Sequence, residues 1–453
     1  MSRMAKRIMR SMSFLVMAGA ALPLGAQPVP NRLGVTPSAQ SRDFVANKQQ
    51  FQLHSLLTEQ RHPRSFDLST RIAADTADGL AALLSVDEDI SAALQGVADD
   101  PARLAALEHA SREITRALRD GHRLYFYGTG STGRLAETIE SGLWRPFWQR
   151  TAAAPAMAKI EARFPGLGER VRGEITGGDR ALIASLEGFE DIPEIGRLQL
   201  QDNGIRPQDL VFAVTEGGET SAVIGTALAA ADQAGADARR TWFVYNNPDE
   251  VLRPFERSRR VLDDARITKI PLPTGPQAIT GSTRMQATTT SLYVLGVVLE
   301  DATRALLREV LTGDELAALG FNDAGIAERL RGFAAIQRTT AAAAQKLAAW
   351  TDREAASYAA GRHATYLATR ALMPVFVDVT ERAPTFRLSP LDPVDAAERR
   401  SWIQVWTPAT DGAQAWQAPR IVIAAGHATA QLSAMVGMFV PVRPNKGQVF
   451  ITE

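Results

Sequence analysis

The sequence contains no cysteine and only six histidines, and both shortages narrow the chemistry open to the chain. Without cysteine there are no disulfide bonds, no thiolate metal ligands and no cysteine nucleophile. No two histidines have the short helical spacing of a zinc site. We therefore expect no bound metal.

The chain also lacks net charge, because its 50 basic residues balance its 50 acidic ones. Binding to a nucleic-acid backbone usually requires a basic surface, so nucleic acid is not an expected partner. Beyond the N-terminus no apolar run is long enough to cross a bilayer. The sequence therefore predicts no association with a membrane.

The N-terminus differs from the rest of the chain. The basic stretch MSRMAKRIMR precedes the apolar and then small residues of SMSFLVMAGAALPLGAQ. This order is typical of a secretory signal peptide cleaved after Ala26, and the alternative is a translated stretch with no export role. Residues 27–50 are polar with prolines, so residues 1–50 are interpreted as a signal peptide and linker.

From residue 51 onward, helical periodicity alternates with short apolar runs. RLYFYG, DLVFAV, RTWFVY and ITKIP are predicted strands, and helical segments separate them. This alternation predicts an α/β fold with a parallel sheet covered on both faces. Three hydroxyl-rich loops follow predicted strands: GTGSTG (128–133), TEGGETS (215–221) and TGSTR (280–284). All three are expected at the carboxyl edge of the sheet, where ligands bind in such folds.

The first loop has the spacing GxGxxG, which is typical of dinucleotide-binding and of phosphate-binding turns. A dinucleotide site needs an acidic residue about 20 positions later, and residues 151–159, TAAAPAMAK, contain none. Glycines and a helix start bring backbone N–H groups to an anion, and neighbouring hydroxyls add donors. The sequence therefore favours a monophosphate, and the alternative is a set of ordinary strand-to-helix turns with Ser/Thr caps.

Four segments together carry a family resemblance: GTGSTGRL, ITGGDRALIASLEGFED, TEGGETSAVIGTAL and ITGSTRMQATT. With LLTEQRHPRSFDLST upstream, they resemble the sugar isomerase (SIS) domain of N-acetylmuramic acid 6-phosphate etherases and of the related glucokinase regulatory protein. The resemblance covers residues 51–307. It implies an SIS-type three-layer α/β sandwich that binds a sugar 6-phosphate, usually as a homodimer. The etherases release D-lactate and N-acetylglucosamine 6-phosphate without a cofactor.

The resemblance also assigns roles to individual residues. One of the two catalytic glutamates of the etherases falls on Glu190, in the EGxED motif. The implied phosphate-binding residues are Ser131, Thr132, Gly133, Thr215, Gly217, Gly218, Thr220 and Ser221. The other implied substrate-binding residues are Gly130, Glu216 and Ser282.

One departure concerns the second catalytic glutamate, which falls on Gly142. Glu140 lies two residues back, which on an α-helix is a rotation of roughly 200°. It is therefore expected to face away unless the segment is not α-helical, and Glu137 is expected to be no better placed. The glucokinase regulatory protein also lacks this acid. The alternative function is thus a non-catalytic sugar-phosphate sensor that acts through a regulated protein partner.

Further departures lie in the second and third motifs. Gly217 replaces a serine of the etherases, Glu219 replaces an arginine, and Gln286 replaces a lysine. Glu216 and Glu219 are candidate replacement carboxylates, and the competing interpretation is that they are solvated loop charges. For Glu219 the sequence favours the solvated charge.

The rest of the chain divides at changes in sequence character. Residues 51–335 form the predicted SIS domain, and 336–418 form a partial second SIS-like domain that includes TERAPTF. Residues 419–453 resemble an internal piece of FAD-dependent oxidoreductases. No glycine fingerprint opens that piece, so no bound FAD is expected. Because hexose 6-phosphates are cytoplasmic metabolites, the expected compartment is the cytoplasm.

Overall fold

The structure is a computed structural model that describes residues 34, 36–48, 52–183, 185–186, 188–235, 239–279, 285–362, 364–367, 373–377, 380, 403–406 and 449–451. The chain divides into two compact units, Met1–Ser55 and Leu56–Glu453. In the first unit, Ser38 caps helix α1 (Ala39–Asn47) by accepting a hydrogen bond from Ser41 N. The predicted signal segment lies outside the described residues.

The second unit contains the remaining described α-helices and strands. Its α-helices are α2 Leu68–Ala74, α3 Thr76–Ser85, α4 Glu88–Asp99, α5 Pro101–Arg119, α6 Ser131–Glu137, α7 Arg145–Thr151, α8 Ala156–Arg163, α9 Arg180–Ile183, α10 Pro193–Asp202, α11 Ser221–Ala234, α12 Asp249–Leu252, α13 Glu256–Leu262, α14 Gln286–Leu307, α15 Gly313–Ala318, α16 Ile326–Ala342 and α17 Ala344–Ala359. Its strands are β1 Leu124–Gly128, β2 Val171–Ile175, β3 Leu210–Val214, β4 Thr241–Tyr245, β5 Ile267–Pro271, β6 Ala364–Leu367, β7 Ile403–Trp406 and β8 Val449–Ile451.

The main sheet has five strands in the order β2-β1-β3-β4-β5, and every neighbouring pair is parallel. The predicted α/β class with a parallel sheet is therefore confirmed. Strand β2, VRGEI, was not predicted, because arginine, glycine and glutamate interrupt its apolar character. A second sheet has the order β7-β6-β8 and is also parallel.

Both faces of the main sheet are buried, as the apolar strand sequences predict. Along β1, Leu124 and Phe126 join a large core that includes α5 and α14. Tyr125 and Tyr127 point to the opposite face and pack in a separate apolar cluster with Leu200 of α10. Within the described residues, no helix is both long and apolar enough to cross a lipid bilayer.

The strand order fixes where a ligand site is expected. Strands β2 and β3 lie on opposite sides of β1, so the chain reverses its direction of progression between β1 and β3. In open parallel sheets, the crevice at the carboxyl ends of the strands beside such a reversal is the usual ligand site. The first two hydroxyl-rich loops follow β1 and β3, so they flank this crevice.

Candidate functional site

One carboxylate connects the three motif segments at the crevice. Glu216, two residues after β3, accepts a hydrogen bond from Ser131 Oγ at 3.2 Å through Oε2. Its Oε1 accepts a second bond from Thr288 Oγ1, in the first turn of α14, at 2.5 Å. All three residues are buried. The first two predicted loops therefore meet at this edge, together with the first turn of α14.

The first loop is held by its own hydroxyls. Thr129 N donates to Thr132 Oγ1 at 3.0 Å, and that hydroxyl donates to Thr129 O at 2.9 Å. Glycine is needed at positions 128 and 130 for different reasons. A Cβ on Gly128 would lie 2.3 Å from the Thr132 backbone, whereas Gly130 takes φ +55°, in the left-handed region that favours glycine. Thr132 thus shapes the turn, and Gly133 continues it into α6 against Ile175 of β2.

The second loop is closed in the same manner. The hydroxyls of Thr215 and Thr220 are 2.9 Å apart, and Gly218 N donates to Thr215 Oγ1 at 3.3 Å. Gly218 takes φ +84°, a conformation that glycine adopts without strain. The loop therefore has a fixed shape, with Ser221 starting α11 directly after it.

Glu219, on the same loop, is not the solvated charge that the sequence favoured. It is buried, and its Oε2 accepts from Arg257 Nε at 2.9 Å. Its Oε1 accepts from Ser258 N at 2.9 Å and also from the Ser258 hydroxyl. The partners lie on α13, which the sequence motif did not include. Glu219 therefore ties the loop to that helix.

The segment around Gly142 is a π-helix, Thr138–Trp144, between α6 and α7. Arg145 N donates to Glu140 O, five residues earlier, instead of the four of an α-helix. The rotation expected for an α-helix therefore does not apply here. Gly142 itself is exposed.

Glu140 lies in this π segment as a paired structural carboxylate. Its Oε1 accepts from Arg145 Nε at 2.7 Å and from Arg172 Nη1 at 3.1 Å. Its Oε2 accepts from Gly173 N at 2.6 Å, on the outer edge of β2. Buried and bonded to two arginines, Glu140 fastens the helix to the edge strand.

Glu137, at the end of α6, is half-buried and has a different electrostatic setting. Burial raises the pKa of its carboxyl to about 8, and the negative charges of Glu140, Glu174 and Asp179 raise it further, while Arg145 opposes them. Among the described residues, no hydrogen bond or ion pair of the Glu137 side chain is found. At neutral pH this carboxyl is mostly protonated.

Strand β2 carries an acidic residue near its end, Glu174. It lies beyond residues 151–159 and so does not have the spacing of about 20 positions that a dinucleotide site requires. Burial raises the pKa of Glu174, whereas hydrogen bonds with Asn203 and Gln199 lower it. Those partners lie beside and on α10, on the face away from α6, so Glu174 is engaged outside the crevice.

Glu190, the candidate catalytic acid, lies on an exposed 3₁₀ turn, Phe189–Asp191. The turn lies between α9 and α10 in the chain. Ser282 lies outside the described residues, as does the whole third loop, residues 280–284. Gln286, in place of the family lysine, is buried and bonds Ala278 N at 3.0 Å through its Oε1.

Residues 56–65, here called the strap, contact the second and third motifs from outside. The sequence alone did not assign the strap to the site. Thr58 Oγ1 accepts from Asn247 Nδ2 at 2.9 Å, and the same nitrogen donates to Gly217 O at 2.9 Å. His62 N donates to Gln277 O at 2.9 Å. The resemblance of LLTEQRHPRSFDLST was the available signal for this support.

The described residues hold no group of three His, Asp or Glu side chains arranged to bind a metal ion. The groups that the described residues bring to the crevice are hydroxyls, backbone N–H groups and carboxylates. Such a set can bind a polyhydroxylated or phosphorylated ligand and can transfer protons.

Comparison with known proteins gives a consistent set of relatives, although no family profile matches the chain. The chain is 32% identical over 243 residues to the N-acetylmuramic acid 6-phosphate etherase of Parasynechococcus marenigrum, covering 54% of this chain and 64% of the relative. It is 31% identical to the etherase of Synechococcus sp. (strain CC9605), covering 62% and 78%. It is 34% identical to that of Picosynechococcus sp., covering 54% and 67%. The match thus spans less than two thirds of the first of these relatives.

Proposed function

Since the chain belongs to the N-acetylmuramic acid 6-phosphate etherase family, we propose that it binds an amino-sugar 6-phosphate at the three motif segments. We further propose that it cleaves the lactyl ether of N-acetylmuramic acid 6-phosphate, giving N-acetylglucosamine 6-phosphate and D-lactate. The reaction is a carbon–oxygen lyase step of amino-sugar metabolism and needs no cofactor. The relatives' names support this substrate class.

The observation that carries the proposal is the contact of Glu216 with Ser131 and Thr288. It joins three segments, from residues far apart in the chain, at the crevice where parallel sheets of this strand order usually bind ligands. Beside Gly217 there is open space close to the backbone, because a Cβ there would meet only Thr58 Oγ1 at 4.0 Å, and such space suits an anion. The proposed phosphate-binding residues are those of the two loops, with Gly130, Glu216 and Ser282 toward the sugar.

A second candidate function is a non-catalytic sugar-phosphate sensor. It is favoured by one observation: Gly142 has no side chain at the position of an etherase acid. A sensor would act through a regulated protein partner. In both cases we propose a homodimer in the cytoplasm, where hexose 6-phosphates occur.

Thermal unfolding of the purified chain tests the binding. The ligands are N-acetylmuramic acid 6-phosphate, N-acetylglucosamine 6-phosphate, fructose 6-phosphate and NAD. A ligand at about 100 times its Kd stabilises the folded state by roughly 2.7 kcal/mol. We expect a rise in Tm with the amino-sugar phosphates and none with NAD. A folded sample that none of the sugar phosphates stabilises contradicts the proposal.

A D-lactate assay then separates enzyme from sensor. Release of D-lactate from N-acetylmuramic acid 6-phosphate identifies the enzyme, and binding without release identifies the sensor. Ser131→Ala is expected to reduce the ligand-induced rise in Tm. The matched control is Thr339→Ala, at an exposed position of α16. The Thr339 hydroxyl donates to Ala335 O of its own helix, so this variant should leave the rise in Tm unchanged.

A further inference from the structure

A second concave site lies at the opposite end of the main sheet from the crevice. It is a cleft of about 420 Å³, here called the amino-edge cleft, and its charged lining residues are Arg123, Arg170, Arg206 and Glu169. Its volume is in the usual range for small-molecule sites. None of its lining residues belongs to the three hydroxyl-rich loops or to the strap.

The topology of the sheet brings the three arginines of the cleft to one edge. Arg123 directly precedes β1, Arg170 directly precedes β2, and Arg206 lies shortly before β3. Because these strands are parallel neighbours, their amino ends meet at the same edge. Backbone hydrogen bonds join the strand entries, since Leu124 N donates to Arg170 O at 2.8 Å and Leu210 N donates to Arg123 O at 2.9 Å. The sheet register therefore fixes the backbone from which these arginines extend.

The charges in the cleft are unequal, because three guanidinium groups line it together with one carboxylate. That carboxylate, Glu169, is exposed and lies 3.3 Å from Arg172 Nη2 and 3.7 Å from Arg145 Nη1. Arg206 has a counter-charge in buried Asp209, to which its Nη2 donates at 3.1 Å. Arg206 is thus neutralised within the protein, and Glu169 is shared with arginines outside the cleft.

The other two arginines of the cleft have no carboxylate within 4 Å among the described residues. Arg123 Nη1 donates to the Tyr125 hydroxyl at 3.4 Å. Arg170 donates to Leu118 O, and its Nη2 donates to Pro165 O at 2.6 Å. These partners are neutral, so they orient the two guanidinium groups without cancelling their charge.

Arg170 is half-buried, which makes its uncompensated charge costly. Burial lowers the pKa of its guanidinium, and the negative charge of Glu161 opposes this effect. A positive charge that burial disfavours is stabilised when an anion binds beside it. The electrostatics of the cleft therefore favour an anion over a cation or a neutral molecule.

Part of the wall of the cleft is bare backbone. Gly121, Gly166 and Gly204 are exposed lining residues, and a Cβ on any of them would meet nothing within 4 Å. A ligand can therefore come close to the main chain beside the arginines. Guanidinium groups donate paired N–H bonds that match the oxygens of phosphates and carboxylates. We propose that the amino-edge cleft binds a compact polyanion that carries phosphate or carboxylate groups.

The length of β1 separates this cleft from the crevice. The five residues of Leu124–Gly128, at about 3.3 Å each, span roughly 16 Å. Arg123 precedes one end of the strand, and the first hydroxyl-rich loop begins at the other. A ligand in the cleft leaves the crevice open, so its binding does not depend on the proposed function.

Isothermal titration calorimetry of the full chain with pyrophosphate and with citrate, at constant ionic strength, tests the cleft. We expect saturable binding of at least one of these anions, and the one that binds more tightly identifies the preferred group. Arg123→Gln should weaken that binding about tenfold or more, because it removes hydrogen bonds from a charged donor. Arg123→Lys should retain part of the affinity. Since Arg123 is exposed, both variants should keep the Tm of the unchanged chain when no anion is present.

Two control variants locate the binding site. Arg338→Gln, at an exposed position of α16, removes a positive charge outside the cleft and should leave the affinity unchanged, as should Ser131→Ala at the crevice. A folded chain that shows no saturable binding of either anion overturns the proposal. Binding that Arg123→Gln leaves unchanged also overturns it, and if Ser131→Ala abolishes that binding, the anion occupies the crevice instead. An equal loss in Arg338→Gln would show attraction by total charge alone.

Discussion

Two edges of the same sheet hold carboxylates in contrasting ways. At the carboxyl edge, Glu216 lies between the hydroxyls of two different segments. At the outer edge of β2, Glu140 is bonded to two arginines and a backbone N–H. Glu140 is much nearer in sequence to the missing acid at Gly142. The contrast shows that closeness in sequence to the missing acid does not make a carboxylate a candidate for its role, because Glu140 is held as a structural anchor.

The largest expected effect comes from Gly173, at the outer edge. A Cβ there would lie 2.2 Å from Ala136 O, which is backbone, so α6 and β2 must separate. We expect Gly173→Ala to lower the free energy of unfolding by at least about 4 kcal/mol, measured by urea denaturation. Gly96→Ala is the control, because its Cβ would meet nothing within 4 Å; a loss of equal size there would contradict this explanation.

Glu140→Ala sharpens the comparison between the two edges. It removes the buried carboxylate that Arg145 and Arg172 share and leaves them only the exposed Glu169, so we expect a loss of about 2 kcal/mol in the free energy of unfolding. The rate of D-lactate release per folded molecule should stay nearly unchanged. A collapse of kcat with normal stability would instead place Glu140 in the reaction.

Glu137 gives a pH-dependent test of the outer edge. Because its folded-state pKa is raised from 4.5 to about 8, its stabilising contribution is present below the lower value and is lost as pH rises through the higher one. Glu137→Gln cannot ionise. We expect the Tm of the variant relative to the unchanged chain to rise by a few degrees between about pH 5 and about pH 9. A difference independent of pH would show that this carboxyl is solvated.

The smallest expected effect is that of Thr132→Val at the carboxyl edge. The variant loses the hydroxyl that bonds both the N–H and the carbonyl of Thr129. The cost in stability should be about 1 kcal/mol, but the rise in Tm with an amino-sugar 6-phosphate should fall markedly. A full ligand response would mean that the shape of this turn does not matter for binding.

The fold was largely predictable because β1, β3 and β4 are apolar runs bounded by turns and β5 is a short strand-like run before a proline. Strand β2 was missed, since Arg172 and Glu174 alternate with small or apolar residues and Gly173 breaks the β pattern. The glycine is required by the close approach of α6, which only the tertiary structure reveals. The positions of the loops followed from the rule for parallel sheets and needed no knowledge of side-chain contacts.

The electrostatics of the site were harder to predict. The burial of Glu219 depends on Arg257 and Ser258, nearly 40 residues later, and no local pattern links them. The π-helix at Gly142 likewise departs from the regular periodicity on which the expected rotation was based. Those features arise from packing between distant segments. The roles assigned to Glu190, Ser282 and the loop hydroxyls remain predictions.

The strap of residues 56–65 is synthesised well before the residues that it contacts. Ser65 Oγ donates to Ala278 O, a partner 213 residues later in the chain. At a synthesis rate of about 5–20 residues per second, the strap waits roughly 10–40 s before that partner has been made. During translation it is thus an early segment with a late partner, and the second and third motifs gain their outer support only when the ribosome has passed the last strand of the main sheet.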